Sequence, residues 1–437
     1  MTDASRPSPS ARYPSRTAEQ PGLAARRAAL KLLDAVIRRG QPLETALYAA
    51  TQGIGSPSDR ALAHAIAAET LRRVPDLDAL IDGATPRPLP EDAKARMVIR
   101  MALAQMLVLG TPAHAAIATA LPLVDGGPRK LVHGVLGALD RAGAKLPEAI
   151  SLPGAVTERW TGAWGEAMAA AAGAALATRP PLDLSLRDPA ETALWTERLG
   201  GASLAPGHVR LAPDRDVTAL PGFAEGAWWV QDIAASIPAR LLGAGEARHV
   251  LDICAAPGGK TMQLAAGGWR VTALDKSKAR LARMESNLER TGLSATVAAG
   301  DALQWAPDAP ADAVLLDAPC SATGIFRRHP DVLHRVGPRQ VAEMAEVQEA
   351  LLARAAGWIA PGGRLVYATC SLERAEGEDQ VSRFLSAHPD FRCAAPSSGL
   401  LPEGVTAAPE GWIRTTPETL AEAGGTDGFF IALLVRD

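Results

Sequence analysis

The sequence predicts an α/β protein whose C-terminal half is a doubly wound parallel sheet and whose first third is all helix. Two observations predict the sheet. Short apolar runs at residues 249–254, 270–274, 313–317 and 364–369 alternate with helix-like segments, the pattern of βαβ units. The residue types that do chemistry stand directly after these runs, where the carboxyl ends of parallel strands hold ligands. A third observation predicts the helices: between residues 23 and 142 apolar side chains fall at helical spacing, as in Ala29, Leu32, Leu33, Val36 and Ile37 and again in Met97, Met101, Ala104 and Leu107.

A chain of 437 residues divides, at roughly 150 residues per domain, into about three domains. Residues 1–21 carry Arg6, Arg12 and Arg16 among Ser and Pro without an apolar run, a disordered tail by composition and not a signal peptide. Residues 22–147 form the helical domain, with turns at 53–57 and around Pro86, Pro88 and Pro90. Residues 148–235, broken at Pro180-Pro181, make a connector, and residues 236–437 the sheet domain.

Composition excludes several classes. With 47% hydrophobic and 21% charged residues the chain is neither fibrous nor disordered. Its longest apolar stretch, 168–177, is too short to span a bilayer, so no membrane partner is expected. The spacings of Cys254, Cys320, Cys370 and Cys393 fit no zinc site; a reduced, cytoplasmic, monomeric chain without metal is expected. Net charge is −3, yet residues 1–150 hold 19 Lys/Arg against 14 Asp/Glu. A basic module on an acidic body is an electrostatic handle for nucleic acid or, equally, a solvated helix face.

The first apolar run leads into Val250-Leu251-Asp252-Ile253-Cys254-Ala255-Ala256-Pro257-Gly258-Gly259-Lys260-Thr261: a strand, a turn of small residues, then a helix start. Its glycines let a ligand approach the backbone closely. Gly259-Lys260-Thr261 fits the end of a phosphate-binding P-loop, but the first glycine of that motif would stand at position 254, which is cysteine. Asp275, 21 residues past Cys254, closes the second run where a carboxylate accepts ribose hydroxyl protons. Asp301, at the end of a further strand between the second and third runs, is expected to meet an adenine amine. Either carboxylate alone is as readily a helix cap; with the loop they favour a nucleoside.

Two further blocks follow strands: Asp317-Ala318-Pro319-Cys320-Ser321-Ala322-Thr323-Gly324 and Thr369-Cys370-Ser371. A single buried cysteine is ordinarily a small core residue. Two on adjacent loops, beside a carboxylate and a nucleoside loop, point to thiol chemistry.

Residues 252–260 resemble motif I of the RNA 5-methylcytosine methyltransferases of the Sun/NOL family, and the resemblance covers nearly the whole chain. It implies a Rossmann-like class I methyltransferase domain, with S-adenosyl-L-methionine held by Cys254, Ala255, Ala256, Pro257, Gly258, Gly259, Lys260, Asp275, Asp301 and Asp317. Residues 23–142 look like the antitermination factor NusB, which implies an all-α NusB-like RNA-binding domain. The family's roles, carried over, make Cys370 the nucleophile and Cys320 the residue that assists release. Cytosine carbon 5 is too weak a nucleophile to be methylated unaided, and thiolate addition at carbon 6 turns the ring into an enamine that can react. Asp317 would hold the base's amine and share a proton at ring nitrogen 3, with Lys260 adding a hydrogen bond.

Other segments match the family pattern too. Phe326-Arg327-Arg328-His329-Pro330-Asp331 looks like its basic loop beside the target base, expected to contact phosphate, and residues 425–430 look like its C-terminal Asp-Gly-Phe-Phe block. The chain departs at Glu376-Gly377-Glu378, where the family has Glu-Asn-Glu, and at His133 and Gly137, where it commonly has Asn and Arg. The architecture implies 16S ribosomal RNA as substrate. Transfer RNA, or RNA binding by a helical protein with an inactive enzyme domain, are the alternatives.

Overall fold

The computed structural model describes residues 21–397 and 399–437; the expected tail, up to residue 20, lies outside the described residues. Among the described residues the first seven α-helices are α1 (Leu23–Ile37), α2 (Leu43–Thr51), α3 (Pro57–Arg72), α4 (Val74–Gly83), α5 (Lys94–Leu107), α6 (Ala113–Ala120) and α7 (Gly127–Arg141). Helix α3 begins as its sequence demands: Pro57 sits in the first turn and the Ser56 side chain accepts from Asp59 N at 3.3 Å. Helix α5 is buried nearly all round, and its two buried cations are met from α4, where Asp82 takes Arg96 and Asp78 takes Arg100 through paired hydrogen bonds. Along α7, Val132, Val135, Leu136 and Leu139 face the core while Arg129, Lys130 and His133 stay exposed or half-buried at the surface. No helix among the described residues is long and apolar enough to cross a membrane.

The stretch 148–235 holds two packing units. Helices α8 (Gly154–Trp164) and α9 (Glu166–Ala177) build no core of their own: Val156, Trp160, Met168 and Leu176 pack with Phe326, Val332, Leu333 and Leu372 of the sheet domain. The second unit is an antiparallel sheet in the order β2-β1-β3, from β1 (Leu182–Leu186), β2 (His208–Leu211) and β3 (Trp228–Val230), covered by α10 (Thr192–Leu199) around Trp195 and Trp228.

The sheet domain runs α11 (Ile233–Arg240), β4 (His249–Ile253), α12 (Gly259–Ala266), β5 (Arg270–Asp275), α13 (Lys278–Thr291), β6 (Thr296–Ala299), β7 (Ala311–Asp317), α14 (Val332–Arg335), α15 (Pro338–Ala356), β8 (Ile359–Thr369), α16 (Glu378–Ala387), β9 (Phe391–Cys393), β10 (Ile413–Thr415) and β11 (Phe429–Arg436). Strand order is β10-β11-β8-β7-β4-β5-β6, and β6 through β8 run parallel. Successive residues of each strand feed opposite cores: Val250, Ala313 and Val366 on one face, Leu251, Val314 and Leu365 on the other. The parallel sheet expected from sequence is in fact mixed, because β11 lies antiparallel to β8, pairing Phe430 with Thr369. Its continuous apolar run, buried on both faces, gives no sign of direction. Chain order reverses beside β4, between β5 and β7, and this sets the ligand crevice at the carboxyl ends of β4 and β7.

Candidate active site

Strand β4 delivers the chain into the small-residue turn with Cys254 at φ 62°. Ala255 N donates to Leu274 O at 3.1 Å and Ala256 N to Asp275 Oδ2 at 3.2 Å, tying the loop to the end of β5. Asp275 is nearly buried and also accepts from Ser277 N at 2.8 Å. Gly258 takes φ +102°, and a Cβ there would come within 2.5 Å of Met284 Cγ, so only glycine lets α12 start at this point. Below the loop, Asp252 accepts from Thr261 Oγ1 at 2.6 Å while its Oδ1 is buried without a hydrogen-bond partner. Burial, opposed by the Thr261 hydrogen bond and assisted by nearby Asp317, pushes the Asp252 carboxyl up to about 7. The Cys254 thiol is pushed up to about 12, by burial first and then by Asp317 and Asp275. Asp301 stands two residues beyond β6, exposed, and accepts from Leu303 N at 2.9 Å, the capping geometry that a lone strand-end aspartate adopts.

The other four predicted residues come together. Lys260, in the first turn of α12, donates to Asp317 Oδ2 at 2.7 Å at the end of β7. Burial lowers the Lys260 ammonium's pKa, but Asp317 and the neighbouring Cys370 outweigh it and hold the group above its usual value. The Phe429 ring lies beneath Nζ at 5.4 Å, which gives the C-terminal Gly-Phe-Phe block a task in placing the cation. Cys320 and Cys370, fifty residues apart in sequence, bring their sulfurs to 3.4 Å. The contact with Cys370 and burial raise the Cys320 pKa well above the ordinary range. Gly324 seals the two loops against β11: its N donates to Cys370 O at 3.0 Å, its O accepts from Gly428 N at 2.9 Å, and a Cβ would collide with Gly428 O.

Sequence reasoning missed what lies behind the cysteines. Glu376 is fully buried and accepts from Ser321 and Ser371, the residues that follow Cys320 and Cys370. The Glu376-Gly377-Glu378 departure also has a spatial reason: a Cβ on Gly377 would stand 2.5 Å from Arg414 Nη2 and 2.7 Å from Phe430 Cγ. Arg414 fills that space between Trp164 and Phe430, paired with Glu378 and donating to Ser371 O. Glutamate spacing was the signal in the sequence; Ser371 lies five residues before Glu376, but Ser321 and Arg414 are distant in the chain.

The basic loop is corrected. Arg327 is 2% exposed and donates to Gly424 O at 2.6 Å; Arg328 pairs with Asp427 at 2.6 Å and Asp232 at 3.1 Å. The Arg327 guanidinium is consumed inside the protein and does not face phosphate, while Arg328, 28% exposed, is held between two carboxylates. Asp331 and His334 instead meet the helical domain, at Leu43 N (3.4 Å) and Leu71 O (2.6 Å). A cavity of about 610 Å³ lined by Arg27, Lys31, Glu91 and Lys94 lies within that domain; the groups able to do covalent chemistry are at the strand ends.

Known proteins match this architecture. A model described as 16S rRNA methyltransferase RsmB/F matches residues 239–435, and a NusB family model matches residues 23–141. The chain is 35% identical to Ribosomal RNA small subunit methyltransferase B of Xanthomonas campestris pv. campestris, over 95% of this chain and 98% of that protein. It is 36% identical to the protein of the same name from Xylella fastidiosa, over 95% and 99%. Among solved structures, PH0851 superposes with a TM-score of 0.71 at 23% identity, covering 95% of this chain and 99% of that one. NSun6 from Pyrococcus horikoshii, solved with SFG, gives 0.56 at 20% identity, covering 65% and 98%.

Proposed function

Because the chain belongs to the 16S rRNA methyltransferase RsmB/F family, we propose that it methylates carbon 5 of a cytosine in 16S ribosomal RNA, with S-adenosylmethionine as donor and Cys370 as covalent nucleophile. The observation that carries this reading is the pair of sulfurs 3.4 Å apart on adjacent strand-end loops, beside the Lys260–Asp317 pair. The 252–260 loop fits the donor: the wall at Gly258 admits no side chain, and the buried Asp275 carboxylate sits at the loop's edge for ribose hydroxyls. Asp301 would be recruited to the adenine amine from its capping position.

Bound S-adenosylmethionine supplies a methyl group on a cationic sulfur. The Cys370 thiolate adds to carbon 6, forming an S–C bond and moving an electron pair to carbon 5. Asp317 holds the exocyclic amine and shares a proton at ring nitrogen 3, with Lys260 beside it to offset the charge that addition creates. Once carbon 5 carries the methyl group, its proton passes to the Cys320 sulfur as base, the C–H electron pair restores the ring double bond, and the S–C bond breaks with its electrons returning to Cys370. Cys320, in contact with that sulfur, assists the release. The NusB-like domain supplies RNA affinity through surface cations such as Arg129 and Lys130.

Denaturing gels of each variant, incubated with substrate RNA and S-adenosylmethionine, test the roles. Cys370→Ala should be inactive without an adduct. Cys320→Ala should stay covalently attached to RNA, and the adduct should vanish in the double variant. An adduct on Cys370→Ala would exchange the two roles. For the target, bisulfite sequencing of a deletion strain should lose a methylcytosine from 16S RNA; loss from transfer RNA alone would overturn that assignment.

A further inference from the structure

Four donors converge on the buried Glu376 carboxylate. Ser321 Oγ and Ser371 Oγ both donate to Oε2, Ser321 N donates to Oε1 at 2.8 Å, and Gln348 Nε2 donates to the same Oε1 at 3.0 Å. Gln348, also fully buried, reaches on to Pro319 O at 2.9 Å and accepts from the Tyr367 hydroxyl at 3.2 Å. The residues on both sides of Cys320 and the residue after Cys370 are thereby fastened to one carboxylate and its glutamine. Glu376 touches neither sulfur in this network. Hydrogen bonds from a protein interior to a carboxylate are strong and directional, and a fully buried one tolerates little drift of its partners.

We propose that Glu376 is a positioning residue for methyl transfer: by gripping Ser321 and Ser371 it fixes the separation of the Cys320 and Cys370 sulfurs. The inference rests on the two-cysteine reading above and deepens it. Attack at carbon 6 and release after loss of the carbon 5 proton act on adjacent atoms of one bound base, so both sulfurs must reach the same ring. A displacement of about 1 Å in such a constellation costs about a hundredfold in rate.

The separation of the thiols can be read without catalysis. Diamide takes one hydrogen from each of two neighbouring thiols, joining the sulfurs as its N=N bond becomes HN–NH. Limiting diamide should convert Cys320 and Cys370 of the full chain to a disulfide, with a mass loss of two hydrogens mapped to that pair. In Glu376→Gln, where an amide nitrogen replaces one acceptor oxygen, the rate of disulfide formation should fall about tenfold and kcat between about tenfold and a hundredfold. KM for RNA and S-adenosylmethionine should not change, and kcat should be taken per folded protein, with an unchanged urea midpoint showing that the loss is not a smaller folded fraction. The double variant Ser321→Ala/Ser371→Ala keeps the carboxylate and should show the same split, so the test survives if Glu376→Gln fails to fold. Wild-type diamide rates, or wild-type kcat, in folded Glu376→Gln or in the serine pair would overturn the proposal. Failure of the two-cysteine reading shows elsewhere, as full turnover by Cys320→Ala and Cys370→Ala.

Discussion

Lys260 and Arg328 are both largely buried cations facing carboxylates in the sheet domain, yet the two clusters are built differently. Arg328 meets two carboxylates, at 2.6 Å and 3.1 Å, and also donates to Pro181 O at 3.0 Å. Its partner Asp232 takes further donors from Ala234 N and Thr426 Oγ1. Asp427, pushed up to about 7 by burial and by Asp232, sits inside that closed set. Lys260 meets one carboxylate, and the Asp317 side chain keeps 32% of its surface open. Arg328, though 28% exposed, is tied by three acceptors and holds loops together; the Asp317 carboxylate, tied to Lys260 and 32% open beside two thiols, is available to a substrate. A lysine in the first turn of α12 and an arginine in a loop both face carboxylates, and the count of partners is what separates scaffold from chemistry here.

The largest expected effect breaks the closed cluster. Arg328→Met leaves Asp232 and Asp427 facing each other in the interior, and removing one partner of such a set costs about 3 kcal/mol or more. Urea denaturation should show that loss; a change below about 1 kcal/mol would mean water already serves the two carboxylates. Lys260→Met tests the open cluster in the opposite sense. Activity should fall about a hundredfold as the charge beside the base disappears, while the urea midpoint stays close to wild type because Asp317 can hydrate. A large stability loss with retained kcat would place Lys260 among the scaffold. The smallest effect sharpens the boundary between them at Asp275, which both ties the loop and faces the proposed ribose. Calorimetry on folded Asp275→Ala should show S-adenosylmethionine bound about tenfold more weakly, about 1.4 kcal/mol; unchanged affinity would leave the carboxylate a loop tie alone.

Much of the site was legible because each motif lies within one turn of chain. The loop from Cys254 to Lys260, the Asp317 to Gly324 block and Thr369-Cys370-Ser371 each follow a recognisable strand, and strand ends of a parallel sheet share one edge. That logic brought Lys260 to Asp317 and Cys320 to Cys370. It failed for Arg327 and Arg328, whose partners Gly424, Asp232 and Asp427 lie about a hundred residues away. It was silent on Glu376, which joins Ser371, five residues before it, to Ser321, 55 residues off.

The sequence by itself determined the helical and α/β halves, the order of the parallel strands' loops and the chemistry each loop carries, since periodicity and short motifs are local properties of the chain. Only the tertiary structure decided which charges remain open, that β11 enters antiparallel beside β8, and that Arg414 occupies the space over Gly377. Those outcomes depend on which distant groups reach hydrogen-bonding distance in a close-packed interior, and no local pattern encodes that.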